Sequence, residues 1–382
     1  MTDNPVSDEF PALVASFEHW LMDQALPLWA EKGLDRAHGG FFDLVDLKGQ
    51  SVPGPRRGRV QGRQAWVFAL AGTMGWQGPW KEVVRQGLDF ILSRRRDDGQ
   101  LPGLIAADGS ILDQTATLYD QTFLLLALSE ASKHFPDRPD FTDAAHRIYT
   151  TTIAARRNPA GGFRESAEQV FQCNPHMHLL EATLAWRAVE PNGIWDSLAD
   201  EVAQLGLTRL MDGNGAIREF YDAEWHPAPG AAGRSIDPGH QFEWAWLLGR
   251  WARLRGNQDA EKAARRLFEI GSKGVDPKRG AAMDEMDDEF RPVRSTARLW
   301  PQTERLKSAL AFMAASEGEE RMRYRGEALR AAKALWRYLQ TPIAGLWRDR
   351  MLPDGSFLEE PSPASSFYHL ICAIQVMKET ID

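Results

Sequence analysis

Two cysteines in 382 residues, Cys173 and Cys372, are too few for a disulfide framework or a zinc cluster. No apolar run approaches the roughly 20 residues that cross a bilayer. The first ten residues, MTDNPVSDEF, lack the basic-then-apolar order of a secretory signal. These absences make a reducing cytoplasm the expected location and leave no membrane partner. Basic charge is not in excess either. A net charge of −8 and a pI near 5.7 give no global field to recruit nucleic acid. There is no HExxH helix, no tight His/Asp cluster and no GxxxxGK[ST] phosphate loop. No metal and no cofactor are therefore expected.

Apolar and aromatic material is plentiful. The chain is 43% hydrophobic and contains 14 tryptophans, enough for a large core. Flat indole faces also suit a sugar-binding cavity, but a core of large residues uses tryptophan equally well.

A short pattern recurs through the chain: a glycine, an aromatic or apolar residue, then alternating polar residues. Its copies are GGFFDLVDLKG at Gly39, DDGQLPGLIAADGS around Gly99, GGFRESAEQ at Gly161, NGAIREFYDAEW around Gly215, GAAMDEMDDEF at Gly280 and AGLWRDRMLPDGSF at Gly345. Each reads as a turn leading into a small hairpin. Six copies about 60 residues apart indicate one repeating unit, so residues 1–382 read as a single catalytic domain.

Two helical patterns fill each repeat. One is apolar on most faces, as in LYDQTFLLLALSEASKHF, HMHLLEATLAWRAV, HQFEWAWLLGRWARL, TERLKSALAFMAAS and SSFYHLICAIQVM. The other is amphipathic, as in PWKEVVRQGLDFILSRRR and DAEKAARRLFEIGSKG. Helices apolar all round are buried all round. Six buried and six amphipathic helices predict an all-α fold, an (α/α)6 barrel with short β-hairpins at one rim. A linear helical solenoid is the alternative, although its concave helices would stay wet.

The inner helices share a register. Pro175, Pro238 and Pro301 fall 63 residues apart and Pro363 follows 62 later. Proline favours the first helical turn, and Asn174 and Asp237 before it are good N-caps. Two or three residues beyond these prolines stand His178, His240 and Glu304. One turn later stand Glu181, Glu243 and His369. The first two inner helices offer Arg59, Gln61 and Arg63, then Tyr119, Asp120 and Gln121. Six helix starts thus aim polar groups, with their partial positive charge, at one mouth of an apolar ring. A single histidine or glutamate at a helix start is usually structural. Three of each in register would be costly to desolvate without purpose. His176 lies two residues from His178 and on the other side. The remaining histidines have no such register.

The set suits proton transfer next to a carbonyl. Removing a sugar's weakly acidic C2 proton needs a positioned base and a cation beside the enediolate. Histidine takes and returns protons near neutral pH, and arginine supplies fixed charge. The segments RVQGRQAW, NPHMHLLEATLAW, DPGHQFEWAWLL, RLWPQTERLKSAL and SSFYHL resemble the N-acylglucosamine 2-epimerase superfamily, from about Phe10 onward. The resemblance implies an (α/α)6 barrel and metal-free aldose–ketose isomerisation or 2-epimerisation, with His240 and His369 as the acid/base pair. It also implies that Arg59 lies near the substrate oxygens. Asn174, His178, Tyr119, Glu243 and Trp300 become sugar contacts, and the register adds Glu181 and Glu304 to the substrate-binding set. Ser365 departs from the glutamine that similar isomerases carry one turn before the last histidine.

Within that family the expected reaction is D-mannose to D-fructose, on a free monosaccharide as the only partner. The oligomeric state, a homodimer included, is left open. The Gly/Pro/Ala-rich segment 224–236 (EWHPAPGAAGRSI) is expected to be a mobile cover for the mouth. Alternatives are a 2-epimerase of the mannose/glucose or N-acylglucosamine type and a phosphosugar isomerase, the latter because Arg56, Arg57, Arg59 and Arg63 are close in sequence. A glycoside hydrolase, which needs two carboxylates at a set separation, and a non-catalytic sugar-binding protein are more distant.

Overall fold

The computed structural model describes residues 9–166 and 171–381. The chain enters on an outer helix, α1 (Glu9–His19), which runs through a π-helical turn (Trp20–Ala25) into α2 (Leu26–Lys32). Inner and outer helices then alternate. Inner α3 (Gly58–Thr73) is followed by outer α4 (Trp80–Ser93), and inner α5 (Leu118–His134) by outer α6 (Pro139–Ile148). Inner α7 (Cys173–Arg187) precedes outer α8 (Ile194–Leu205), and inner α9 (Pro238–Arg255) precedes outer α10 (Gln258–Lys273). Inner α11 (Leu299–Ala314), outer α12 (Gly318–Tyr338) and inner α13 (Phe367–Ile381) complete the series.

Each inner helix packs on the next, and α13 packs back on α3, so the ring closes. This is the expected (α/α)6 barrel; the open solenoid is excluded by that closing contact. The apolar pattern dictates the two rings. Helix α10 buries only one face, Ala260, Ala264, Leu267, Phe268, Ile270 and Gly271, whereas α9 is buried from Pro238 to Gly249 on every face. Tryptophan serves mostly the core. Trp29 stacks on Trp347 with centroids 4.7 Å apart, and Trp186 on Trp195 at 5.2 Å.

The glycine-led repeats form the rim at the N-terminal ends of the inner helices. Their strands are only two or three residues long. Two pair within a repeat, Leu104–Ile105 with Ile111–Asp113 and Glu285–Met286 with Pro292–Arg294. Others join neighbouring repeats: Arg56–Arg57 with Leu104–Ile105, Phe171–Gln172 with Phe220–Tyr221, and Arg350–Met351 with Ala297–Arg298. Leu44–Val45 pairs with Ser362–Pro363 and ties the first repeat to the last. Residues 167–169 of the third copy, and the chain start at 1–8, lie outside the described residues.

A recurrent clasp connects rim to ring. Gln61, Gln121, Gln241 and Gln302, near the start of their helices, each exchange two hydrogen bonds with the backbone of the preceding hairpin. The partners are Phe41, Leu101, Ile217 and Ala282, at 2.7–3.2 Å. In α7 the place is taken by His176, whose Nε2 accepts from Phe163 N–H at 3.0 Å while Nδ1 meets Gln172 O at 2.8 Å. His176 is therefore structural, and Gln61 and Gln121 belong to this clasp rather than to the mouth. The clasp needs close approach. Gly40 has φ +72°, and a Cβ there would lie 2.7 Å from Gln61 Oε1.

Two register details differ from expectation. Asp237 caps α9, accepting from Gly239 N–H at 2.8 Å. Asn174 does not cap α7, which begins one residue earlier because strand Phe171–Gln172 leads straight into it and Cys173 N–H bonds Glu219 O at 3.2 Å. Pro301 likewise sits in the first turn of α11, after the Arg298 cap position. The segment 224–236 is not a free cover. Trp225 is buried and donates to Gly161 O at 2.8 Å, Arg234 pairs with Asp288 at 2.7 Å, and Ile236 bridges Met286.

Candidate active site

A cavity of about 250 Å³ opens on the barrel axis at the N-terminal mouth. All six inner helices reach it through their first two turns: Arg59 and Arg63 from α3, Tyr119 from α5, Asn174 and His178 from α7, His240 and Glu243 from α9, Trp300 from α11 and His369 from α13. Arg57, Asp237, Arg298, Asp349, Ser365 and Ser366 complete the wall, and no residue of 224–236 belongs to it. A larger cavity of about 410 Å³ lies at the opposite mouth, walled by Trp66, Trp246, Arg250 and Cys372 among others. Its wall has no histidine, whereas the smaller cavity has three, His178, His240 and His369.

The histidines are oriented from behind. His240 gives Nδ1 to Glu219 Oε2 at 2.8 Å, and His369 gives Nδ1 to Glu304 Oε1 at 2.8 Å. His178 gives Nδ1 to Glu181 Oε2 at 3.2 Å. An ionised carboxylate only accepts, so each ring carries its proton on Nδ1 and leaves Nε2 uncommitted. The His240 and His369 rings both lie against the Trp300 indole, at 5.0 and 5.5 Å between centroids.

Their environments pull them apart. Burial lowers His240, but the charges of Glu219 and Asp237 more than offset it and its pKa is raised above 6.5. His369 goes well below 6.5, through burial and then the positive charge of Arg63 and Lys307. Burial takes His178 down to about 4. Two groups of one type with opposite shifts, in one cavity, describe an acid and a base.

The cations differ in what they have free. Arg57 is paired with Asp43 at 2.5 Å, Arg59 with Asp120 at 3.2 Å, and Arg298 with Asp284 and Asp237 at 2.9 and 3.1 Å. Arg63 has no carboxylate partner among the described residues. It meets Tyr119 Oη at 2.8 Å and Ser365 O at 3.1 Å, and lies 4.0 Å over the Phe123 ring. Arg56 is buried against Asp35 and does not reach the cavity. Among the described residues the Oδ1 of Asn174 and both carboxyl oxygens of Glu243 have no hydrogen-bond partner. Burial, reinforced by nearby Glu304, pushes the Glu243 carboxyl well above the usual range.

Two expected substrate contacts stand elsewhere. Glu181 and Glu304 are absent from the cavity wall and lie behind His178 and His369. Glu181 follows His178 by one turn and lies deeper, whereas Glu304 shares the first-turn register of His178 and His240 but turns to His369 of the neighbouring helix instead of the cavity. Glu219, Lys307 and Tyr368 escaped sequence reasoning. Glu219 sits in the hairpin before α9, where acidic residues are ordinary. Lys307 could have been found, since a lysine inside the apolar run TERLKSAL needs a buried partner. Tyr368 hydrogen-bonds Glu181. Among the described residues three donor groups lie close enough to hold a metal: Cys173/Glu219/His240, His178/Glu181/Glu243 and Glu243/Glu304/His369. Hydrogen bonds account for the Glu219–His240, His178–Glu181 and Glu304–His369 contacts within them, and Glu243 has none among the described residues.

The N-acylglucosamine 2-epimerase (GlcNAc 2-epimerase) family model matches residues 40–373. The chain is 46% identical over 370 residues to the mannose-6-phosphate isomerase of Rhizobium meliloti (strain 1021), covering 95% of this chain and 96% of that one. Its fold superposes on a crystal structure of D-mannose isomerase with a TM-score of 0.86, at 20% identity, covering 99% and 100% of the two chains. The cellobiose 2-epimerase of Bacillus thermoamylovorans B4167 gives 0.85 at 18% identity, covering 96% and 100%.

Proposed function

The chain belongs to the N-acylglucosamine 2-epimerase family and is a sugar isomerase; on that premise we propose that it converts free D-mannose to D-fructose in the cavity of the N-terminal mouth. The observation that carries the reading is the pair of oppositely tuned histidines, each with Nδ1 on a carboxylate and both against Trp300.

His369, neutral, takes the C2 proton on Nε2. His240, protonated, opens the ring and then moves a proton between O2 and O1. The electron pair left at C2 forms the enediolate, whose negative oxygen faces Arg63 and Arg59. Return of the proton from His369 to C1 gives the ketose. Tyr119, Asn174, His178, Glu243 and Trp300 hold the hydroxyls and one ring face. The step uses no metal and no cofactor. Three carboxyl groups line the wall, Asp237, Glu243 and Asp349, but Asp237 is held by Gly239 N–H and Arg298, and Asp349 by Ser366. Among the described residues only Glu243 of these is without a hydrogen-bond partner on both oxygens, and hydrolysis needs two such groups. Residues 1–382 are taken as one catalytic domain acting in the cytoplasm.

Mannose 6-phosphate is the second reading. The name of the 46% identical relative favours it, as do the four arginines of the wall. Against it, Arg57, Arg59 and Arg298 already hold carboxylates, and a phosphate dianion would find only Arg63 uncompensated. The test is incubation of free and phosphorylated aldoses in deuterated water, followed by NMR. Fructose from mannose supports the proposal. Glucose formed faster than fructose, or turnover of the phosphate ester alone, overturns it.

A further inference from the structure

We propose that Lys307 is a positioning residue which, through Glu304, decides which ring nitrogen of His369 carries the proton. The inference rests on the reading of His369 as the C2 base. Lys307 and Glu304 are both wholly buried, with Nζ 2.7 Å from Oε2. The other oxygen of Glu304 receives Nδ1–H of His369 at 2.8 Å. The ammonium lies 3.9 Å from the centre of the Trp246 ring and is not part of the cavity wall. The three side chains thus form a line from the barrel interior to the site, with only His369 in reach of substrate.

An ammonium so deep is costly to desolvate, and a carboxylate is what compensates it. The groups facing this line are Arg63 from α3, His178 and Glu181 from α7, Glu243 from α9, and Tyr368 and Cys372 from α13. Burial raises the pKa of Glu304, Glu181 raises it further, and Lys307 is the foremost influence holding it down. The 2.7 Å contact with the Lys307 ammonium favours the anion of Glu304, which only accepts. His369 then keeps its proton on Nδ1 and presents a lone pair on Nε2. Without the ammonium, Glu304 takes up a proton and donates it in a hydrogen bond to Nδ1. The single proton of the neutral ring must then sit on Nε2, where the lone pair was needed.

The experiment compares Lys307→Met and Lys307→Gln with wild type. At neutral pH kcat on mannose is expected to fall by ~10²–10⁴-fold, as when a general base is held in the wrong tautomer, with KM changing by less than about threefold. Activity should recover as pH rises and Glu304 ionises, a response that loss of packing alone would not give. Nitrogen-15 NMR of histidine-labelled protein should report His369 as Nδ1–H in wild type and Nε2–H in the variants. A folded variant with the wild-type pH profile and tautomer overturns the inference. So does an Nε2–H tautomer in wild type, whether or not the variants fold. His369→Asn separates the two levels. If it stays active, the reading of His369 as base fails. If it is dead while folded Lys307→Met is unaffected, only the role of Lys307 fails.

Discussion

Glu219 holds His240 by a 2.8 Å bond between Oε2 and Nδ1, reaching it from the rim hairpin rather than from any inner helix. The backbone of Glu219 is itself fixed, its N–H on Ser235 O at 3.0 Å and its carbonyl on Cys173 N–H at 3.2 Å. Burial is the largest influence on His240 and lowers it; Glu219 is the foremost one opposing. In Glu219→Gln that opposition is lost and the pKa falls. The protonated form of His240 is the working one, so activity is lost as pH rises through its pKa. The alkaline limb of kcat/KM should therefore move to lower pH, which a pH–rate profile reads directly. The same sign holds for folding: the stability His240 contributes is full below its unfolded pKa and is lost as pH rises through the higher folded value.

His240→Asn and His369→Asn should each lower kcat by at least ~10²-fold without unfolding the protein. His369, depressed well below 6.5, stays unprotonated across neutral pH, so the wild-type acid limb should lie far below 6.5. Deuterium exchange at C2 should vanish in the His369 variant.

Arg63→Lys keeps the charge but loses the fork that meets Tyr119 Oη and Ser365 O. It should lose more kcat than Arg59→Lys, whose guanidinium is spent partly on Asp120. Both variants should be below wild type. Steady-state kinetics on mannose gives the order.

Dialysis against EDTA should leave kcat/KM unchanged, and added divalent ions should not raise it. Free mannose should be preferred over its 6-phosphate. A tenfold preference the other way, about 1.4 kcal/mol of transition-state free energy, would reassign the substrate.

Gly40→Ala should destabilise the protein by about 1–3 kcal/mol. Its φ of +72° disfavours any side chain, and the added Cβ meets Phe90 at 2.6 Å and the Gln61 clasp at 2.7 Å. Denaturant titration gives the figure.

Much was legible in the chain itself. Apolar character on alternate helices determined two rings, because a helix such as α9 that is apolar all round has no stable place except inside. The glycine-led repeats marked one rim, and the 63-residue spacing of prolines placed His178 and His240 at the same end as Arg59 and Trp300. The tertiary structure decided depth and partnership. Register along one helix says which residues share a face; whether that face meets cavity or neighbour depends on helices 60 residues away. Hence Glu304 proved to stand behind His369, and Asn174 to present an unpartnered oxygen rather than a cap. The acid and the base differ for the same reason. His240 and His369 are the same residue type, and only the carboxylates and cations that packing brings beside each of them set one pKa up and the other down.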